Sequence, residues 1–321
     1  MRSKSLSLGK SVANLFVYGT THAFVDGICA AVVFSILKEQ LVGIKEFITI
    51  VILYNVLAFG LQTIVGIFTD YIKWPKGVTL LGCIFTGASA LTFLSFPTLA
   101  IILAGFGNAL FHVGGGSICL NITPKKASAP GIFVAPGALG LLLGTLLGKS
   151  GHINVWLSVL ILVIVCLLII AVKTPEIDYE KEQVKNRQYS TFLLVLILTW
   201  SSILIRSLVG VILVYPWKSD IYLLIIVTLA IVLGKGFGGI LADKFSWNKV
   251  GVGSLLLSIP FLILGTNIPL LGIIGVFIFN ITMPITLVII ANMLPGRPGF
   301  AFGLTCFALL IGALPVLIGI K

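Results

Sequence analysis

The chain has 321 residues, of which 58% are hydrophobic and 10% charged, with a mean hydropathy of +1.17 and a formal net charge of +11. That composition excludes a water-soluble globule, whose helices need polar faces. Apolar runs of about 20 residues, the length that crosses a bilayer core, recur along the sequence and define an all-α polytopic membrane protein.

The positive charge does not mark a nucleic-acid partner, because the lysines and arginines sit in short connections between apolar runs and form no long basic arm. Cys29, Cys83, Cys119, Cys166 and Cys306 all lie inside apolar runs without CxxC or Cys/His spacing. No disulfide, metal site or cofactor is therefore expected. Neither a GxGxxG after a strand, a P-loop, an HExxH nor a nucleophile elbow is present, so the chain is not expected to be an enzyme.

Taken in order, the basic segment MRSKSLSLGK leads into a long apolar run without a small-residue cleavage site, which is expected to stay as the first transmembrane helix. Cuts at proline, glycine and charge clusters predict spans over 12–37, 46–69, 78–96, 98–122, 130–149 and 153–172. The segment KTPEIDYEKEQVKNRQYS, rich in both acids and bases, follows. Spans resume over 191–214, 220–242, 250–266, 269–293 and 299–320. The expected organisation is a six-helix bundle at 1–172, a central loop at 173–190, and a bundle of about five helices at 191–321. A counterpart of span 153–172 would begin beyond Lys321, so about eleven helices are expected, with the twelfth of the repeat apparently absent and the C-terminus external.

Placing the N-terminus inside puts Arg2, Lys4, Lys10, Lys73, Lys76, Lys125, Lys126, Lys173, Lys181, Lys185, Arg187, Lys244, Lys249 and Arg297 on the cytoplasmic side. Only Lys38, Lys45, Lys149, Lys218 and Lys321 fall opposite. This asymmetry predicts a cytoplasmic N-terminus and central loop in a plasma membrane protein, since short basic loops are not readily translocated.

The string GIFTDYIKWPK at 66–76 returns as GILADKFSWNK at 239–249, 173 residues later. Gly66, Ile67, Asp70, Trp74 and Lys76 thereby match Gly239, Ile240, Asp243, Trp247 and Lys249. NITP at 121–124 and NMLP at 292–295 pair likewise, and Pro130-Gly131 and Pro298-Gly299 open each fifth helix. The chain is a parallel tandem repeat. Asp70 and Asp243, at the cytoplasmic end of the second helix of each half, are placed to hold a neighbouring helix N-terminus or a basic residue and so to gate one conformation. Lys76 and Lys249 are the candidate basic partners.

Ionisable side chains are costly inside a bilayer and are retained mainly where they face a cavity or a partner. Asp26, Arg206 and Lys235 are the charged residues well inside spans. Asp26 is the acid on which a change of exposure or of neighbouring charge could load or release a proton. His22, one turn away, could relay it. Arg206, in the repeat counterpart of the first helix, suits a phosphate, phosphonate or carboxylate, or serves as a static counter-ion to Asp26. Lys235 either contacts substrate or extends its ammonium to the cytoplasmic surface. Asn14, Tyr18, His22 and Asp26 recur every four residues as a polar stripe, and Asn108 and His112 repeat the spacing on the fourth helix, where substrate contact competes with packing beside Gly115 and Gly116. Pro136 and Gly137 precede Gly140, Gly144 and Gly148, a small-residue face for close helix approach.

Two six-helix halves, a charged central loop and the repeated G-x-x-x-D turn resemble the major facilitator superfamily of secondary transporters over the whole chain. His22-x-x-x-Asp26, GFGNALFH at 105–112 and LPGRPG at 294–299 resemble its fosmidomycin-resistance branch. Where that branch follows the fourth-helix histidine with Pro-Glu and a nearby arginine, this chain has Val113, Gly114, Gly115, Gly116 and Ser117; Lys244 supplies the basic residue after Asp243, whereas Tyr71 follows Asp70. The glycine face of the fifth helix resembles the antiporter motif of the superfamily. The resemblance implies alternating access around a midplane site, with proton-coupled efflux by antiport of a small anionic or zwitterionic compound such as a phosphonate drug, and hence drug resistance, in a monomer without a cofactor. Two alternatives stand beside it: a proton-linked importer of a small metabolite and a non-transporting or degenerate membrane protein.

Overall fold

A computed structural model describes residues 6–39, 44–180 and 189–319. Residues 181–188 of the central loop, with Lys181, Lys185 and Arg187, lie outside the described residues, as do Arg2, Lys4 and Lys321. The first half contains α1 (Leu8–Glu39), α2 (Ile44–Asn55), a π-helical turn (Val56–Gly60), α3 (Gln62–Ile72), α4 (Pro75–Thr92), α5 (Pro97–Ile122), α6 (Ser128–Ser150) and α7 (Val155–Ala171). The second contains α8 (Tyr189–Ile212), a 3-10 turn (Pro216–Ser219), α9 (Ile221–Phe245), α10 (Trp247–Leu264), α11 (Pro269–Asn280), α12 (Thr282–Met293) and α13 (Pro298–Leu317).

Among the described residues, nine helical stretches are long and apolar enough to cross a membrane, including Ile48–Ile72, which joins α2 to α3, and Pro269–Met293, which joins α11 to α12. α4, as long as α10 but less apolar, and the shorter α7 complete the expected eleven helices. Their ends follow from local chemistry. Pro75, Pro97, Pro269 and Pro298 occupy first helical positions, where a missing N–H costs nothing. Asn154 caps α7 by accepting from the Leu157 N–H at 3.0 Å, and Asp220 caps α9 by accepting from Tyr222 and Leu223 at 2.8 and 3.0 Å. Lys73 closes α3 in the left-handed region at φ 55°.

Hydropathy does not foresee the two interruptions within spans. The π turn follows Asn55 and the break between α11 and α12 follows Asn280, and both asparagines line one cavity. Such irregularities are tolerated at membrane depth where they face protein or a cavity.

Lipid is as apolar as leucine, so helices associate through close packing of small residues. The α6 glycine face serves this purpose: a Cβ on Gly140 would strike the Ala23 carbonyl of α1, one on Gly144 the Gly27 carbonyl, and one on Gly148 the Ala31 carbonyl. We expect Gly140→Leu to force α1 and α6 apart and to cost at least about 1–3 kcal/mol. The cost would register as a lower melting temperature of the detergent-solubilised chain; an unchanged melting temperature would refute this packing. Outward-facing leucines and isoleucines such as Leu160, Leu198, Ile205, Leu256 and Ile263 remain exposed on α7, α8 and α10, where acyl chains would cover them. The halves meet chiefly along two helix pairs, α3 with α13 and α6 with α9.

Candidate functional site

At one end of the bundle, each repeated aspartate reaches across to the other half. Asp70, at the end of α3, accepts from the backbone N–H groups of Gly299 and Phe300 at 2.9 and 2.8 Å, in the first turn of α13. Asp243, at the end of α9, accepts from Ala127 and Ser128 at 2.8 and 2.9 Å, where α6 begins. Carboxylates at helix N-termini satisfy free amide donors and meet the positive end of the helix dipole. Gly66 and Gly239, four residues earlier, make this possible, since a Cβ at either would strike the Gly299 or the Ala127 carbonyl.

The lysines of the repeated turn take no part in holding these carboxylates. Lys76 Nζ donates to the carbonyls of Ile170 and Val172, each at 2.9 Å, and so caps the C-terminal end of α7. Lys249 is exposed and makes no ion pair with Asp243 among the described residues; the Trp247 indole N–H donates to that carboxylate instead, at 3.2 Å. The pairing of Pro130-Gly131 with Pro298-Gly299 also needs correction. The residues that occupy equivalent seats are Ala127 and Gly299, so α6 starts about one turn before its proline, and the shared Pro-Gly is out of structural register.

A cavity of about 430 Å³ lies between the halves. Asn55, Phe59 and Leu141 face it from the first half, and Arg206, Ser207, Lys235 and Asn280 from the second. It extends to Tyr215 and Lys218 beyond the end of α8, at the end of the bundle away from Asp70 and Asp243. Arg206 is buried, and its Nη1 donates to Thr282 Oγ1 at 3.3 Å. Neither Arg206 nor Lys235 forms an ion pair among the described residues, so the expected static pairing of Arg206 with Asp26 is not found. Lys235 faces the cavity rather than the bundle surface. Lys218, which the sequence places in an external loop, adds a third cation at the cavity mouth, where burial pulls its ammonium below the usual lysine range.

Asp26 has other partners, gathered from α1 and α5. Its Oδ1 accepts from Asn108 Nδ2 at 2.8 Å and lies 3.6 Å from His112 Nε2; its Oδ2 lies 3.1 Å from His22 Nε2. The two Nε2 atoms are 2.9 Å apart, with the rings nearly perpendicular at 86°. Phe111, Phe133 and Phe302 pack around the imidazoles. Gly137 of α6 lets its backbone approach, since a Cβ there would lie 2.6 Å from Asp26 Oδ2. One ligand atom from each of His22, Asp26 and His112 falls within 4.8 Å of the others, close enough to grip a small cation.

The structure therefore gathers Asp26, His22, Asn108 and His112 into one cluster in the first half, and Arg206 and Lys235 into the neighbouring cavity. Lys235 acts electrostatically on both Asp26 and His112. Tyr18 is fully buried, with a hydroxyl that has no hydrogen-bond partner among the described residues, and Asn14 donates to the Lys10 and Lys173 carbonyls at 2.8 and 2.9 Å. Sequence reasoning missed Asn55, Asn280, Ser207 and Lys218. The two asparagines carry no repeat signature, since Asn55 lies in the second span of its half and Asn280 in the fourth span of the other.

No family sequence model matches the chain, and no curated protein matches it by sequence. Solved structures do. The E. coli fucose:proton symporter superposes with a TM-score of 0.72 at 12% identity, over 96% of this chain and 91% of that one. The human organic anion transporter MFSD10 superposes with a TM-score of 0.66 at 14% identity, over 94% and 92%. Another structure of the fucose transporter, titled a major facilitator superfamily transporter in the outward conformation, gives 0.66 at 13% identity over 94% and 91%. With helices, tandem halves and cross-half contacts in place, the chain has the major facilitator fold.

Proposed function

We propose that the chain is a secondary transporter that moves a small anion by alternating access, coupled to protons. The observation that carries this reading is the cavity between the halves, lined by Arg206 and Lys235 with no carboxylate in its lining and none in an ion pair with either cation among the described residues. Buried, uncompensated cations are costly, and a ligand that supplies the missing negative charge recovers that cost. A carboxylate, phosphate or phosphonate fits the planar fork of Arg206. The titles of the superposed proteins, a proton symporter and an organic anion transporter, agree in kind.

With the basic loops taken as cytoplasmic, Asp70 and Asp243 close the cytoplasmic end and the cavity faces outward. Their release and the rocking of one half against the other would expose it inward. Asp26 and His22, with His112, are the proton-handling groups. Charge sets the sense of coupling: an unprotonated cluster adds negative charge beside the cavity and repels the anion, so proton and anion bind together and travel in the same direction. Efflux by exchange, expected from the resemblance, requires the opposite sign. The α6 glycines that suggested it are already occupied by α1.

The test uses the purified chain in proteoliposomes, with an imposed pH gradient and labelled phosphonate or dicarboxylate. Wild type is expected to accumulate the anion in the direction of proton flow, whereas Asp26→Asn binds it but does not accumulate it. Accumulation against proton flow would establish exchange instead. Absence of gradient-dependent flux with every anion tried would sink the reading.

A further inference from the structure

We infer that His22 and His112 share a single proton between their Nε2 atoms, and that this bridging proton, with Asp26 as its fixed counter-charge, is the one the transporter carries. The inference rests on the proton-coupled reading above and assigns His112 a role equal to that of His22.

The tautomers leave little choice. His22 Nδ1 lies 2.8 Å from the Phe133 carbonyl oxygen, and His112 Nδ1 lies 2.9 Å from the Asn108 carbonyl oxygen. A carbonyl only accepts, so both Nδ1 atoms carry hydrogen and donate. Each Nε2 then presents a bare lone pair unless the ring takes an additional proton.

With no such proton, two lone pairs would face each other at 2.9 Å beside two carboxylate oxygens, with only the Asn108 amide donating into the group. Buried acceptors without donors are costly, and these would also repel. With two protons, a pair of imidazolium rings would stand in contact inside an aromatic shell. One proton gives a charge-assisted N–H···N hydrogen bond of ordinary length, and the cluster becomes neutral against Asp26.

The surroundings fit that neutral state. From α1 the neighbouring titratable groups are Cys29 and, one turn before His22, Tyr18; from α2, Tyr54; and from α13, Cys306; thiols and phenols such as these are uncharged at neutral pH. α6 contributes the Phe133 carbonyl and the Gly137 backbone. From α9 and α8 come the cations Lys235 and Arg206. A divalent metal in place of the proton would leave net positive charge facing Lys235, whereas a proton leaves none. Loss of the proton makes the cluster negative and requires the rings to part, so emptying the site involves a local separation of α1 from α5.

The experiment is nuclear magnetic resonance on the full chain, ¹⁵N-labelled at histidine, in lipid nanodiscs, with His152 as the remote reference. The expected signature is one strongly downfield proton with scalar coupling to two Nε2 nuclei, lost in both His22→Gln and His112→Gln. In potentiometric titration, wild type is expected to release one more proton than either variant, and the double variant to match the singles. Two independently titrating imidazoles, additive single variants, or stoichiometric capture of zinc ion at the pair would overturn the inference. Because the wild-type spectrum carries the result, it stands even if a variant fails to fold. Anion binding and flux measured on the same preparations separate the two readings: a bridge without anion binding or flux refutes the transport proposal alone, and proton-driven anion flux without a bridge refutes the shared proton alone.

Discussion

Arg206→Gln is expected to weaken anion binding by about 10- to 150-fold. A hydrogen bond to a charged group contributes about 1.5–3 kcal/mol, and each 1.4 kcal/mol is a factor of ten. Folding should not suffer, because among the described residues Arg206 is hydrogen-bonded to Thr282 alone and its removal strands no carboxylate. Taking away a buried, unpaired cation should leave the melting temperature unchanged or raise it. The two readouts together separate a ligand-binding arginine from a packing one. If affinity for the anion stays within about twofold of wild type, less than 0.5 kcal/mol, the anion does not sit on Arg206. Lys235→Gln should weaken binding less, since an ammonium is a single point of charge rather than a two-pronged donor.

Asp243→Asn combined with Asp70→Asn should open the end of the bundle that these residues close. Each carboxylate accepts two backbone N–H bonds from the other half. An asparagine can accept with only one atom, and its amide hydrogens would face the second donor. Each replacement should therefore cost about 1.5–3 kcal/mol for a lost charge-assisted bond, with about 0.3–1 kcal/mol more from the helix dipole. An equilibrium between end-closed and end-open states would move by at least about tenfold per site. Spin labels on the exposed Lys125 and Lys249, one in each half, would report it as a new long-distance population. An unchanged distance distribution in the double variant would show that the carboxylates do not hold this end shut. Lys76→Met is the control: it removes a cap on α7 and should leave the distribution alone.

The sequence by itself determined the spans, the duplication and the position of the repeated aspartates. Bilayer thickness fixes how long an apolar run must be, so apolar runs cut at proline, glycine and charge clusters located the spans to within a few residues of their ends. The G-x-x-x-D turns were legible because duplication wrote the same requirement twice: a glycine for close approach and a carboxylate four residues on. His22 and Asp26 were readable as neighbours from their helical spacing.

Only the tertiary structure decided what these groups face. Position in the turn left Asp70 and Asp243 a choice between a neighbouring helix N-terminus and the lysines of the same turn, and backbone amides carry no side-chain signature that could say which helix supplies them. His112 lies 90 residues from His22, and only the packing of α1 on α5 brings their Nε2 atoms to 2.9 Å. Arg206 lies in the repeat counterpart of the helix that carries Asp26, yet Asn108 and the two histidines occupy the carboxylate and leave the guanidinium open to the cavity. Hydropathy and spacing encode local, one-dimensional demands of the bilayer and the helix. Which of several suitable partners a charge meets is settled by helices that pack across long separations in sequence, and no single stretch records that choice.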